Sequence, residues 1–159
     1  MKTPFRSSIS LLLLAGAIFG GAGCRVVSDA PTDLSQPGWQ VRETAAVWRP
    51  AAAVPELAGE LLTARHSDGS LFVQFSKQGL PLVSARTTTN SWLITSALRS
   101  DRFSGFLRRS GPPDQVPWFL CATQPPTPRV GSRWRVETQP DGSWRLANPR
   151  TGEWLEGVP

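Results

Sequence analysis

From position 57 onward, apolar and polar residues alternate over short runs that end in turn-forming residues. In "SLFVQFSK", Leu71, Val73 and Phe75 fall on one side, while Phe72, Gln74 and Ser76 fall on the other. That is the two-residue period of a half-buried strand. The same reading makes strands of "ELAGELLTAR", "LVSARTTT", "WLITS", "RFSGFLRR", "RWRVETQ", "WRLANP" and "EWLEGV". "WFLCA" reads as a short apolar strand or a turn of helix. Gly105 in "RFSGFLRR" predicts a bulge or bend. The turns "SDG", "PDG" and "RTG" all end in Gly, as a type I turn closing on a left-handed residue requires. Short connections make sequential strands antiparallel neighbours. The expected fold class is all-β: an antiparallel meander of about eight short strands, curled because a sheet this small must bury one face. A strongly curved sheet or partial (half) barrel satisfies that demand.

Two segments precede this pattern. Residues 24–55 read as a tether and lead-in, because "SDAPTDLSQPGW" has turn formers and no periodicity. "VRETAAVWRPAAAVPEL" is ambiguous between a short helix and a strand covering a sheet edge, with Pro50 and Pro55 ending anything long. Trp39 and Trp48 are expected to dock on the domain at 56–159. Residues 1–23 are different again. Lys2 and Arg6 precede a run from Ile9 to Phe19 that is apolar except for Ser10 and Gly16. That run is well short of the ~20 residues that span a bilayer as a helix. It fits the apolar core of an export signal.

Composition sharpens the picture in three places. Fourteen Gly and 15 Pro favour turns over helices. Seven Trp and no Tyr make the aromatic content unusual. Trp134, Trp144 and Trp154 recur every ten residues, a hairpin-ladder period that reads as core or cross-strand packing ahead of a ligand platform. Arg133, Arg135 and Arg145 flank two of these rings, to stack on them or to solvate the outer face. The formal charge is +5. Without Lys2 and Arg6, the 17 basic residues become 15 against 12 acidic ones. They form no basic run, so a nucleic-acid partner is not expected.

The residues that carry chemistry are sparse. His66 is the sole histidine and sits in the "HSDG" turn beside Asp68, where a solvated side chain is the expectation. The carboxylates Glu56, Glu60, Asp101, Asp114, Glu137, Asp141, Glu153 and Glu156 show no paired spacing, and Glu60 is expected to face solvent. The glycines sit singly in turns and form no phosphate loop. Cys24 and Cys121 are the two cysteines. If lipid takes Cys24, Cys121 is alone, and its apolar setting predicts a buried, inert thiol. No catalytic set, no metal site and no cofactor beyond covalent lipid is expected.

Gly21, Ala22, Gly23 and Cys24 resemble the lipobox of bacterial lipoproteins, with Gly21 standing where that family usually has a branched residue. The resemblance implies cleavage between Gly23 and Cys24 and acylation of Cys24. Type I cleavage after Ala22 or Gly23 is the alternative. Two or more acyl chains hold a protein firmly on a membrane, at ~0.8 kcal/mol per buried CH₂. Arg25 implies sorting to the outer membrane, facing the periplasm.

"LAGELLTARHSDGSLFVQFSK" resembles the opening hairpin of the lipoprotein-sorting proteins LolA and LolB, with Gly59, Gly69, Phe72, Gln74 and Phe75 at matching places. That resemblance implies an unclosed barrel with an apolar interior for acyl chains. It transfers no ligand-binding residue, and the chain is short for the family's covering helices. The expected function is a non-catalytic, lipid-anchored envelope protein binding acyl chains or a protein partner. The alternative is peptidoglycan or polysaccharide binding or processing through surface Trp and Arg. The pattern specifies no oligomeric state.

Overall fold

The computed structural model describes residues 30–98, 100–107, 117–122, 126 and 133–158. Its strands are β1 (Trp39–Arg49), β2 (Leu57–His66), β3 (Leu71–Lys77), β4 (Leu80–Thr87), β5 (Ser91–Ser96), β6 (Asp101–Phe106), β7 (Arg135–Thr138), β8 (Trp144–Asn148) and β9 (Glu153–Gly157). Among the described residues between β6 and β7 is a 3-10 turn, Pro117–Phe119. All strand pairs are antiparallel, and the order across the sheet is β6-β5-β4-β3-β2-β1-β9-β8-β7. The protein is therefore all-β, an open sheet with β6 and β7 at its two ends.

The meander β1–β6 runs to one side, and β7–β9 returns on the other. β9 meets β1 through Ala46↔Gly157, Val47↔Glu156, Trp48↔Leu155 and Arg49↔Trp154. β1 is thus central to the sheet. The sheet begins at Trp39, ahead of residue 56 and inside the segment that the sequence pattern assigned to the lead-in. The physical reason is readable afterwards. Thr44, Ala46 and Trp48 are buried while Glu43 and Ala45 are exposed, the two-residue period of a strand. Alanines at 45 and 46 blur that period because they fit either face.

Pairing fixes which residues share a face, since directly opposed residues point the same way. Trp48, Leu61, Val73, Phe75, Val83, Ala85, Ile94, Leu146 and Leu155 form one buried core on one face. Trp92 and Trp144 are buried on that same face, three strands out from β2 and two from β1 respectively. A flat sheet of nine strands spaced ~4.8 Å apart would spread this face over ~40 Å. The sheet curls instead, and Trp118 and Cys121 from the crossing segment pack into it. Trp118 stands edge-on to Trp48 at 4.9 Å and tilted against Phe75 at 6.1 Å.

Two of the turns are built alike. In each, an Asp accepts the amide of the Ser two residues on: Asp68 from Ser70 at 2.8 Å, Asp141 from Ser143 at 2.9 Å. The Gly between them takes a left-handed φ, 88° at Gly69 and 85° at Gly142, as the sequence pattern expects. Gln78 and Gly79 both have positive φ, the signature of a two-residue type I′ hairpin joining β3 to β4.

Gly105 makes no bulge. β6 pairs with β5 in unbroken register, and Gly105 lies opposite Trp92. A Cβ there would fall 2.7 Å from the Trp92 indole nitrogen. Gly157 lies opposite Trp144 in the same way, and its Cβ would collide with that ring. Both glycines exist to let an indole lie across the neighbouring strand. We expect Gly105→Ala and Gly157→Ala each to destabilise the fold by about 1–3 kcal/mol, the range for overpacking a filled site. Urea unfolding measures this, and an unchanged midpoint in both variants would contradict the packing described.

Candidate functional site

The sequence places its few reactive groups in turns, and one turn proves to be a junction. Before β1 the chain runs Ala30–Gly38. Asp33 organises this piece: its carboxylate accepts the Ser35 amide at 3.0 Å, the Ser35 hydroxyl at 2.6 Å and the Gln36 side-chain amide at 3.2 Å. These bonds hold the Asp33 carboxyl below its usual value, the Ser35 hydroxyl contributing most. The segment then meets the β2–β3 turn. Ser67 donates its amide to the Gly38 carbonyl at 3.1 Å. The His66 ring lies beside the Trp39 ring at 5.0 Å. At the other end of the segment, the Arg86 guanidinium donates to the Ala30 carbonyl. Residues 30–38 are thus fastened to the domain at both ends, where the sequence pattern predicted a mobile tether. The fastening is long-range and polar, so it leaves no periodic trace.

His66 holds the junction through both ring nitrogens. Nε2 is 3.2 Å from the Pro37 carbonyl oxygen, which can only accept, so Nε2 carries a hydrogen. Nδ1 is 2.9 Å from Asp68 Oδ1. When the ring is charged, both nitrogens donate. When it is neutral, the Nδ1 lone pair faces that carboxylate at 2.9 Å, with only the long 3.4 Å contact from the Asp68 amide to donate to it. The geometry therefore favours the imidazolium, and the hydrogen bond to Asp68 pushes the His66 pKa above its ordinary 6.5. The Ser70 amide and the His66 contact pull Asp68 down to about 2. Gly38, with φ 100°, leaves the room this requires, since a Cβ there would meet the His66 ring at 2.6 Å.

The second feature is the outer face, opposite the core. Ala30, Pro31 and Thr32 cross it over β3–β5. With Phe72, Gln74, Ser84, Arg86, Leu93 and Thr95 they enclose a groove of about 250 Å³. At the far side of the sheet, Arg145 and Glu156 are paired at 2.6 Å, and the Arg145 guanidinium lies 4.5 Å over the Trp154 ring.

The ten-residue Trp period does not make a row. Trp144 is opposite Gly157, and Trp154 is opposite Ala147, three residues further along β8. An odd offset puts the two indoles on opposite faces. Trp134, Trp144, Trp118 and Trp92 are buried, whereas Trp154 is half-buried on the outer face under Arg145. Core packing thus accounts for four of the rings, and stacking by Arg accounts for Trp154.

Other candidate residues fall apart in space. Glu60 is exposed on the outer face opposite Ala45. Asp141 is engaged by Ser143, whose hydroxyl and amide hold its carboxyl low. Glu153 accepts the Trp48 indole N–H at 3.2 Å. Glu137 and Glu156 flank Arg145 across β7 and β9. Cys121 is fully buried, its thiol donates to the Pro117 carbonyl at 3.1 Å, and burial pushes its pKa well up. Among the described residues, no three His, Cys, Asp or Glu side chains gather as metal ligands, and no helix is long and apolar enough to cross a membrane. Gly23, Cys24 and Asp114 lie outside the described residues.

No family model matches the chain, and no curated protein does either.

The latch carries a pH signature. The His66 pKa is raised on folding, so its contribution is fully present below 6.5 and is lost as pH rises through the higher folded value. The Asp68 contribution is present above its ordinary 3.8 and is lost as pH falls towards about 2. Between these limits the pair is charged on both sides. An NMR titration of the His66 ring should give a midpoint above 6.5, and Asp68→Asn should lower it. A midpoint at or below 6.5 in the parent chain would count against the latch.

Proposed function

We propose that this protein is a non-catalytic lipoprotein of the cell envelope, held by acyl chains on Cys24 and working as an anchored β-sheet module for a protein partner. The observation that carries the reading is the fastened lead-in. Ala30–Gly38 is tied down by Arg86, Ser67 and His66, and only five residues separate Cys24 from Ala30. A free polypeptide has no need of three fixings on its leader. A leader that carries load from an anchor to a domain does.

Two points bear on what the module binds. Trp118 and Cys121 pack on the core face against Trp48 and Phe75. This favours a partner recognised from outside over an acyl chain taken into the interior, the role that the likeness to LolA and LolB implies. Burial of Trp92, Trp118, Trp134 and Trp144 leaves few rings for sugar stacking, which weakens the peptidoglycan or polysaccharide reading. The non-catalytic assignment draws on His66, whose two nitrogens are occupied by the latch rather than aimed at a nucleophile. The outer membrane, facing the periplasm, is the proposed location, on the strength of Arg25 after the lipobox-like stretch.

Mass spectrometry of the chain purified from membranes should find a mature N-terminus at Cys24 carrying diacylglycerol and an amide-linked acyl chain. Cys24→Ser should release the protein into the soluble fraction. An unmodified N-terminus at position 23, 24 or 25 would remove the anchor from this account.

A further inference from the structure

We infer that the outer face of the β3–β6 half, around Phe72, Arg86, Leu93 and Arg102, lies against the lipid surface that holds Cys24. The inference rests on the anchored reading above and adds an orientation to it.

Chain length limits where the anchor can lie. The six residue steps from Cys24 to Ala30 reach at most about 22 Å, at ~3.3–3.6 Å per extended residue. Ala30 is itself pinned to the outer face by Arg86, and Pro31 and Thr32 continue across the same face beside Phe72, Gln74 and Leu93. A lipid on Cys24 therefore has to enter the bilayer close to this face. To present the core side instead, the leash would have to pass round the sheet, whose half-width from β3 outward is several strands of ~4.8 Å each. Reaching the β6 edge takes two to three strand spacings, about 10–14 Å, which uses half or more of the leash before it turns the edge or descends to the membrane, so the leash favours the outer face.

The chemistry of the face agrees. Register places Phe72, Arg86, Leu93 and Ser104 in one row across β3–β6, and Gln74, Ser84, Thr95 and Arg102 in the next. Both rows carry Arg and no carboxylate. The acids of the outer face lie on other strands, Glu43 and Glu60 on β1 and β2 and Glu137 and Glu156 on β7 and β9. Guanidinium groups fork onto phosphate, and anionic headgroups attract basic residues within a Debye length. Half-buried Phe72 lies beside Arg86 in this row, and buried Leu93 backs the groove under the leader, so the face sets some apolar surface among its cations. The leader leaves open grooves of about 250 and 280 Å³ on either side of Arg86.

Position-specific quenching tests the orientation. The full-length protein would be purified in its lipidated form with one added thiol: Ser104→Cys on the outer face, Gln40→Cys on the core-face side of β1, or Leu98→Cys at the β5–β6 turn. All three sites are exposed, and buried Cys121 does not compete for the label. Each is labelled with a fluorophore and reconstituted into phosphatidylcholine–phosphatidylglycerol vesicles carrying a headgroup nitroxide. Quenching at Ser104 should exceed that at Gln40 and Leu98 several-fold. Equal quenching at Ser104 and Gln40, or the strongest at Leu98, overturns the orientation while mass spectrometry of the same sample still finds lipid on Cys24. Absence of lipid on Cys24 overturns the anchored reading, and the orientation with it.

Discussion

Trp48 is where the three parts of this molecule meet. It sits on β1, the strand shared by the meander and by the β7–β9 return. Its ring packs against Phe75 of β3 at 5.7 Å and against Trp118 of the crossing segment at 4.9 Å. Its N–H reaches Glu153 of β9. An indole can do this because it offers a large apolar body and one donor at its edge. Remove it, and β9 keeps four pairings to β1 while the crossing segment loses the ring it stands on.

The rest of the architecture follows from that centre. Burial of one face forces the curl, and the curl needs bulky groups near the middle and room further out. Trp92 and Trp144 supply bulk at the flanks, and Gly105 and Gly157 give them space on the neighbouring strands. The outer face is left to polar chemistry: the Arg145–Glu156 pair, the Arg86 contact to the leader, and the His66 latch. One face makes the fold, and the other is free to carry the protein's attachments.

Much of this was legible in the sequence, and the exceptions have physical causes. Period-two runs marked β2–β6 and β7–β9 because large and polar residues alternate in them. β1 was obscured by its small residues, since Ala45 and Ala46 do not declare a face. The Asp-Gly-Ser turns were readable because left-handed backbone needs Gly. Gly105 misled, because a glycine that yields to a Trp across a strand looks, in one dimension, like a glycine that bends its own strand. The ten-residue Trp spacing suggested matching positions, but register and not spacing decides the face. The fastening of residues 30–38 was invisible, since it joins Pro37 to His66 and Ala30 to Arg86 across long stretches of chain. His66 itself stood out as the one histidine, and only the fold supplied its partner at Pro37.

The claim that Trp48 unites the parts is open to a direct comparison. Urea unfolding of Trp48→Ala should show a loss of about 3–5 kcal/mol, as for a large aromatic removed from a packed core. Trp154→Ala, on the outer face under Arg145, should lose much less. Equal losses in the two variants, or a Trp48→Ala variant within about 1 kcal/mol of the parent, would contradict the account.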